Sequence, residues 1–137
     1  MAMELHSYLA GLPAFLSYFA VAVALTLVFC LGYTWLTPHR EWSLIRQGVP
    51  AASVAFSGSL LGFVLPLASA IAHSVNLLDC LLWGAVALLV QWLVFLALRL
   101  VLRDLSTRIA NNDLAAATLV AVMSLAIGIL NAACMVW

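Results

Sequence analysis

Residues Ala51–Ala70 read AASVAFSGSLLGFVLPLASA, an apolar stretch with no charge and many small side chains. Gly58, Gly62, Pro66 and Ala70 fall every fourth residue, so a helix gathers them on one ridge. A ridge without bulky side chains lets a second helix approach closely, the usual packing device of helices in lipid. Thr118–Cys134 repeats the style in looser form, with Ser124, Gly128 and Ala132 at the same spacing. The two stretches speak to architecture and are nearly silent on chemistry.

The rest of the chain explains why lipid is the relevant solvent. Of 137 residues, 67% are hydrophobic and only 7% charged. Soluble domains carry about half and about a quarter, respectively. A fold of this size has no interior large enough for that much apolar surface. A bilayer core about 30 Å thick takes about 20 apolar residues per helix, and four such windows fit, at 15–36, 51–72, 81–101 and 115–136. Their apolar runs are continuous, whereas membrane strands alternate. Helices also satisfy their own backbone polar groups in hydrocarbon. The expected fold is therefore an all-α membrane protein, one polytopic domain with four transmembrane helices.

Charge placement orients it. There is no Lys, and the five Arg stand at 40, 46, 99, 103 and 108, in or beside the first and third connections. Basic residues near span ends stay in the cytoplasm. Both Arg-bearing connections are expected inside and both termini in the periplasm. The leading MAMELHSY has no positive charge and the apolar run after it is long enough to span, so the first window reads as a retained helix rather than a cleaved signal. The formal net charge of zero gives no footprint for nucleic acid.

Tyr18, Phe19, Tyr33 and Trp35 read as aromatic belts for the first span, and Trp83 as an outer anchor for the third. Thr37-Pro38 suits a helix start. Residues 41–46 fit either a short amphipathic turn on the inner surface or a solvated loop. Gly48 can end such a turn, and Pro50 can open the second span. Pro66 removes a backbone hydrogen bond and suggests a fixed bend. Ser53, Ser57, Ser59 and Ser69 offer hydroxyls to the preceding turn. Asn76 or Asp79 can cap the third span, and Asn112 or Asp113 the fourth.

The two halves correspond. Leu44-Ile45-Arg46-Gln47-Gly48 precedes Ala51-Ala52, and 64 residues later Arg108-Ile109-Ala110-Asn111-Asn112 precedes Ala115-Ala116. The register drifts beyond that point, where Gly58 and Gly62 match Ser124 and Gly128 after a two-residue shift. Two spans per unit, about 15–72 and 81–137, make a parallel repeat about an axis along the membrane normal. The run TPHREWSLIRQG through AASVAFSGSLLGFVLPLASA, the Trp83-Gly84 and Gln91 region, and the ending NAACMVW resemble the YjfL-type bacterial inner-membrane proteins. That family is an uncharacterised one built from two tandem two-helix units. The resemblance implies a multi-pass protein of the bacterial inner membrane and no established reaction. Neighbouring genes in the family, for membrane-stress proteins and ligases, imply by association a role in envelope maintenance and an envelope-stress protein as partner.

Reactive constellations are absent from the sequence pattern. His6, His39 and His73 lack metal spacing, and Cys30, Cys80 and Cys134 form no Cys-x-x-Cys. No window carries Asp, Glu or Lys of the kind that marks proton relays. No enzyme, metal or cofactor is expected. Two groupings remain. Gln91 and Asn131 are amides at depth: with Ser57 they line a permeation path, or they join helices by hydrogen bonds. Cys80 and Cys134 lie at similar depth near the outer face, where a disulfide is permitted; the plainer reading is two inert, buried thiols. The sequence favours a structural or partner-binding membrane protein, oligomeric in the bilayer. The alternative is a small oligomeric channel or carrier.

Overall fold

The computed structural model describes residues 1–36 and 41–135. Six helices follow one another: α1 (Ala2–Leu36), α2 (Glu41–Arg46), α3 (Pro50–His73), α4 (Leu77–Val101), α5 (Leu105–Ala110) and α6 (Leu114–Cys134). There is no strand among the described residues, and α1, α3, α4 and α6 are long and apolar enough to cross a membrane. The Thr37-Pro38 helix start lies outside the described residues.

Each half runs long helix, six-residue helix, long helix. The short helices end alike. Gly48 has φ +76°; its N–H bonds to the Ile45 carbonyl and that of Val49 to the Leu44 carbonyl, both at 3.0 Å. Asn112 has φ 62°; its N–H bonds to the Ile109 carbonyl at 3.0 Å and that of Asp113 to the Arg108 carbonyl at 2.9 Å. Both are Schellman closures, built on the two residue types that best tolerate the left-handed region. Residues 41–46 thus form the short helix rather than a loop, with Leu44 and Ile45 half-buried and Trp42 half exposed against Phe56. Pro50 opens α3 at its first turn, as its missing N–H allows.

Helices α3 and α6 form the most extensive contact in the bundle, and they run parallel. Gly58 meets Ala121, Gly62 meets Ser124 and Gly128, and Ser69 meets Ala132, in the same order along both helices. A Cβ at Gly128 would fall on the Gly62 carbonyl, and one at Gly62 on the Ser124 carbonyl. Glycine is therefore what allows the two backbones to touch. Pro66 and Ala70 are buried along the same helix, which runs continuously through the proline.

Helix α1 packs on α3 and α4 through a cluster of rings. Phe29 stacks on Phe63 at 4.9 Å, and Tyr33 lies edge-on to Phe56 at 5.5 Å and to Phe95 at 5.1 Å. Tyr33 is 1% exposed, so it is a core residue and not a belt anchor. Its ring finds three aromatic partners, Phe29 on its own helix and one on each of two neighbouring helices, which outweighs the headgroup preference of an isolated Tyr. Trp35, by contrast, is 87% exposed and packs into no core. Trp92 packs its ring over Gly32.

The first helix is longer than its apolar window. At 35 residues it runs about 52 Å at 1.5 Å per residue, well beyond the bilayer core. Phe15, Tyr18, Phe19 and Ala22 flank Ile71 near the end of α3, so the preceding turns extend past the bundle. Residues 1–17 are all exposed. Hydropathy locates the lipid-facing portion of a helix, not its first hydrogen bond. The leading segment continues the helix through Pro13, whose carbonyl accepts from the Ser17 hydroxyl at 2.9 Å.

Candidate functional site

The polar groups within the bundle converge where α3, α4 and α6 meet. Gln91 projects from the middle of α4 and is 2% exposed. Its Nε2 donates to the Gly62 carbonyl of α3 at 2.9 Å and to the Ser124 carbonyl of α6 at 3.1 Å. Two acceptors on one side fix the amide orientation, because the opposite flip would set oxygen against oxygen. Oε1 is buried without a hydrogen-bond partner among the described residues. One turn before Gly62, the Ser59 hydroxyl lies 3.5 Å from that of Ser124, both residues being buried. Towards the far end of the same seam the Ser69 hydroxyl donates to the Ala132 carbonyl at 3.0 Å. Ser59 and Ser69 thus reach across to α6 instead of back along α3.

The amides and hydroxyls expected at depth do not share one environment. Ser57 is exposed, whereas Gln91 is buried. Asn131 is half-buried on α6, its Nδ2 enclosed without a partner among the described residues. Glycines 58, 62 and 128 were legible as packing positions; that Gln91 would bind both glycine-bearing helices was not, since a sequence does not say which neighbours an amide meets. The disulfide between Cys80 and Cys134 is not formed. Both are free thiols, Cys80 buried and Cys134 exposed, so matched depth does not make their side chains face one another.

The ends of the seam are closed by caps. At the end that carries Arg46 and Arg108, the Ala51 N–H of α3 donates to Asn112 Oδ1 at 3.1 Å, from the turn that precedes α6. Next to it, Asp113 caps its own helix through the Ala116 N–H at 3.2 Å and pairs with Arg108 Nε at 2.7 Å. Those two contacts, that with Arg108 first, hold its carboxyl below the ordinary value. Arg99 reaches the end of α1, where Nη1 donates to the Leu36 carbonyl at 3.0 Å. At the opposite end Asn76 caps α4 through the Asp79 N–H at 2.8 Å, and Asp79 Oδ2 accepts from the Val75 N–H at 3.1 Å. Among the described residues no three His, Cys, Asp or Glu side chains gather as a metal site.

Comparison with known proteins places these features in a family. The profile of the family described as Domain of Unknown Function (DUF350) matches residues 7–135. The chain is 46% identical over 127 residues to the UPF0719 inner membrane protein YjfL of Escherichia coli strain K12, covering 93% of this chain and 96% of that protein. The same identity and coverage hold for the protein of that name from Escherichia coli O157:H7. No solved structure matches the chain.

Proposed function

The chain belongs to the DUF350 family, and from that premise we propose that it is a structural, partner-binding component of the inner membrane that serves envelope maintenance. It is a multi-pass inner-membrane protein with four apolar helices. In this reading the Arg-bearing end faces the cytoplasm and both termini face the periplasm, because basic residues beside span ends are retained inside. The two long–short–long halves are tandem copies of one unit, a reading supported by the matching closures at Gly48 and Asn112, 64 positions apart.

One observation carries the structural role. Both donor hydrogens of Gln91, the amide nearest mid-depth, are spent on the carbonyls of neighbouring helices. The group best placed to line a path instead joins three helices. The outer faces supply the binding surface for partners. Helix α1 presents Phe15, Leu27 and Leu31 at 60%, 59% and 71% exposure, apolar surface suited to another membrane helix or a second copy of the chain. The protein in this reading is non-catalytic and has no cofactor.

The test compares envelope integrity with transport. A deletion strain is expected to be hypersensitive to a protonophore, with rescue by the wild-type chain. Purified protein in liposomes is expected to leave ion and small-solute flux at background. Normal protonophore tolerance of the deletion strain, or flux that disappears in Gln91→Leu, would overturn the proposal and favour a channel or carrier.

A further inference from the structure

A second polar feature lies away from the seam, at the membrane edge where α4 gives way to α5. A cavity of about 240 Å³ is lined by Arg99, Asp104, Leu105, Ser106 and Thr107. Arg99 stands in the last turn of α4, two residues before that helix ends at Val101. A guanidinium there reaches headgroup level while its stem stays along the apolar span. It has five N–H donors, of which one goes to the Leu36 carbonyl. The Ser106 hydroxyl is buried with no hydrogen-bond partner among the described residues. The Asp104 carboxylate makes no hydrogen bond or ion pair there either. Leu100 and Val101, which follow Arg99 along α4, are 85% and 76% exposed, apolar surface available to acyl chains.

We propose that this cavity binds the headgroup of a zwitterionic phospholipid bearing a primary ammonium, as in phosphatidylethanolamine. The phosphate sits on Arg99 with the Ser106 and Thr107 hydroxyls as donors, the ammonium on Asp104, and the acyl chains along Leu100 and Val101. The carboxylate decides between lipids. An anionic headgroup would satisfy Arg99 but meet like charge at Asp104. A choline headgroup has the positive charge but no N–H to donate. A primary ammonium supplies both charge and donors. The apolar surface that follows Arg99 selects a lipid over a soluble phosphomonoester.

Native mass spectrometry of the full chain in detergent tests this. The probe is an equimolar mixture of phosphatidylethanolamine, phosphatidylcholine and phosphatidylglycerol with identical acyl chains. Ethanolamine-lipid adducts are expected to exceed choline-lipid adducts roughly tenfold, the scale of one hydrogen bond to a charged group. Asp104→Asn should erase that preference, because Asn tolerates the left-handed φ of 61° at this position and keeps the turn. Arg99→Gln should lower adducts of all three lipids. Soluble glycerophosphoethanolamine should leave the adducts in place. Equal ethanolamine- and choline-lipid binding, a dominant phosphatidylglycerol adduct, or a preference that survives Asp104→Asn would overturn the proposal. Displacement by the soluble compound at equal concentration would overturn the lipid as occupant.

Discussion

Asn112 closes one helix and caps another. Its backbone turns at φ 62° to end α5, while its Oδ1 accepts the Ala51 N–H of α3 at 3.1 Å. Val49, at the N-cap position of α3, has no side-chain cap, and Pro50 supplies no donor, so this contact from the other half of the chain satisfies the first available amide of α3. The side chain therefore ties the start of α3 to the start of α6.

Two variants separate these roles. Asn112→Gly keeps the left-handed backbone and loses only the cap, with an expected loss of about 0.5–2 kcal/mol. Asn112→Ala loses the same cap and holds a left-handed φ with neither glycine's freedom nor the Asn side chain's local hydrogen bond, so it should be about 1–2 kcal/mol less stable than Asn112→Gly. Unfolding in mixed micelles, followed by circular dichroism, ranks them; equal stability of the two would remove the backbone argument.

The glycine seam predicts position-specific intolerance. Gly62→Ala and Gly128→Ala each press a methyl onto backbone of the opposing helix, which cannot rotate away as a flexible side chain would. Each should cost about 1–3 kcal/mol from overpacking. Gly11→Ala meets nothing within 4 Å and should be neutral or stabilising by up to about 1 kcal/mol. Thermal melts of the three variants check the ordering.

Gln91 is expected to contribute through its two interhelical bonds. Gln91→Leu keeps approximate volume and removes both, with an expected loss between about 0.6 and 2 kcal/mol. Gln91→Glu should do worse near neutral pH, since an ionised carboxylate would face two carbonyl oxygens at mid-depth. Reversible unfolding in SDS-containing micelles measures both.

Acid should weaken the Arg-bearing end. The Asp113 carboxyl is held below its ordinary value by Arg108 and the Ala116 N–H. A carboxyl depressed in the folded state adds stability that is full above its unfolded value and is lost as pH falls through the folded one. The α6 cap should thus persist at neutral pH and weaken only below the normal carboxylate range. The protection factor of the Ala116 amide, its exchange rate taken relative to the intrinsic rate at each pH, checks it in wild type and Asp113→Asn: the wild type should show an acid-dependent loss of protection that the variant lacks.

Much of this was legible in residue order. Continuous apolar windows located four spanning helices, small residues at fourfold spacing marked close-packing faces on α3 and α6 without pairing them, and Gly48, Pro50 and Asn76 behave as their backbone chemistry dictates. Partners were harder. Tyr33 looked like an interfacial anchor because its depth was readable and its three ring neighbours were not. Of the two candidate caps for the fourth span, Asp113 takes that role and Asn112 caps α3 instead, a choice between helices that only tertiary packing makes. Cys80 and Cys134 shared a depth but not a facing direction, which depends on helix rotation.

The central claim is the parallel α3–α6 seam within one chain, and cross-linking tests it most directly. In a background with Cys30, Cys80 and Cys134 replaced by Ala, Ser59→Cys and Ser124→Cys put two thiols where hydroxyls lie 3.5 Å apart. With a protease site placed in the connection between α3 and α4, mild oxidation should keep the two fragments joined in one chain. The pair Ser57→Cys with Ser124→Cys should release them. Fragments that separate with the first pair, or that join only between different chains, would contradict the account.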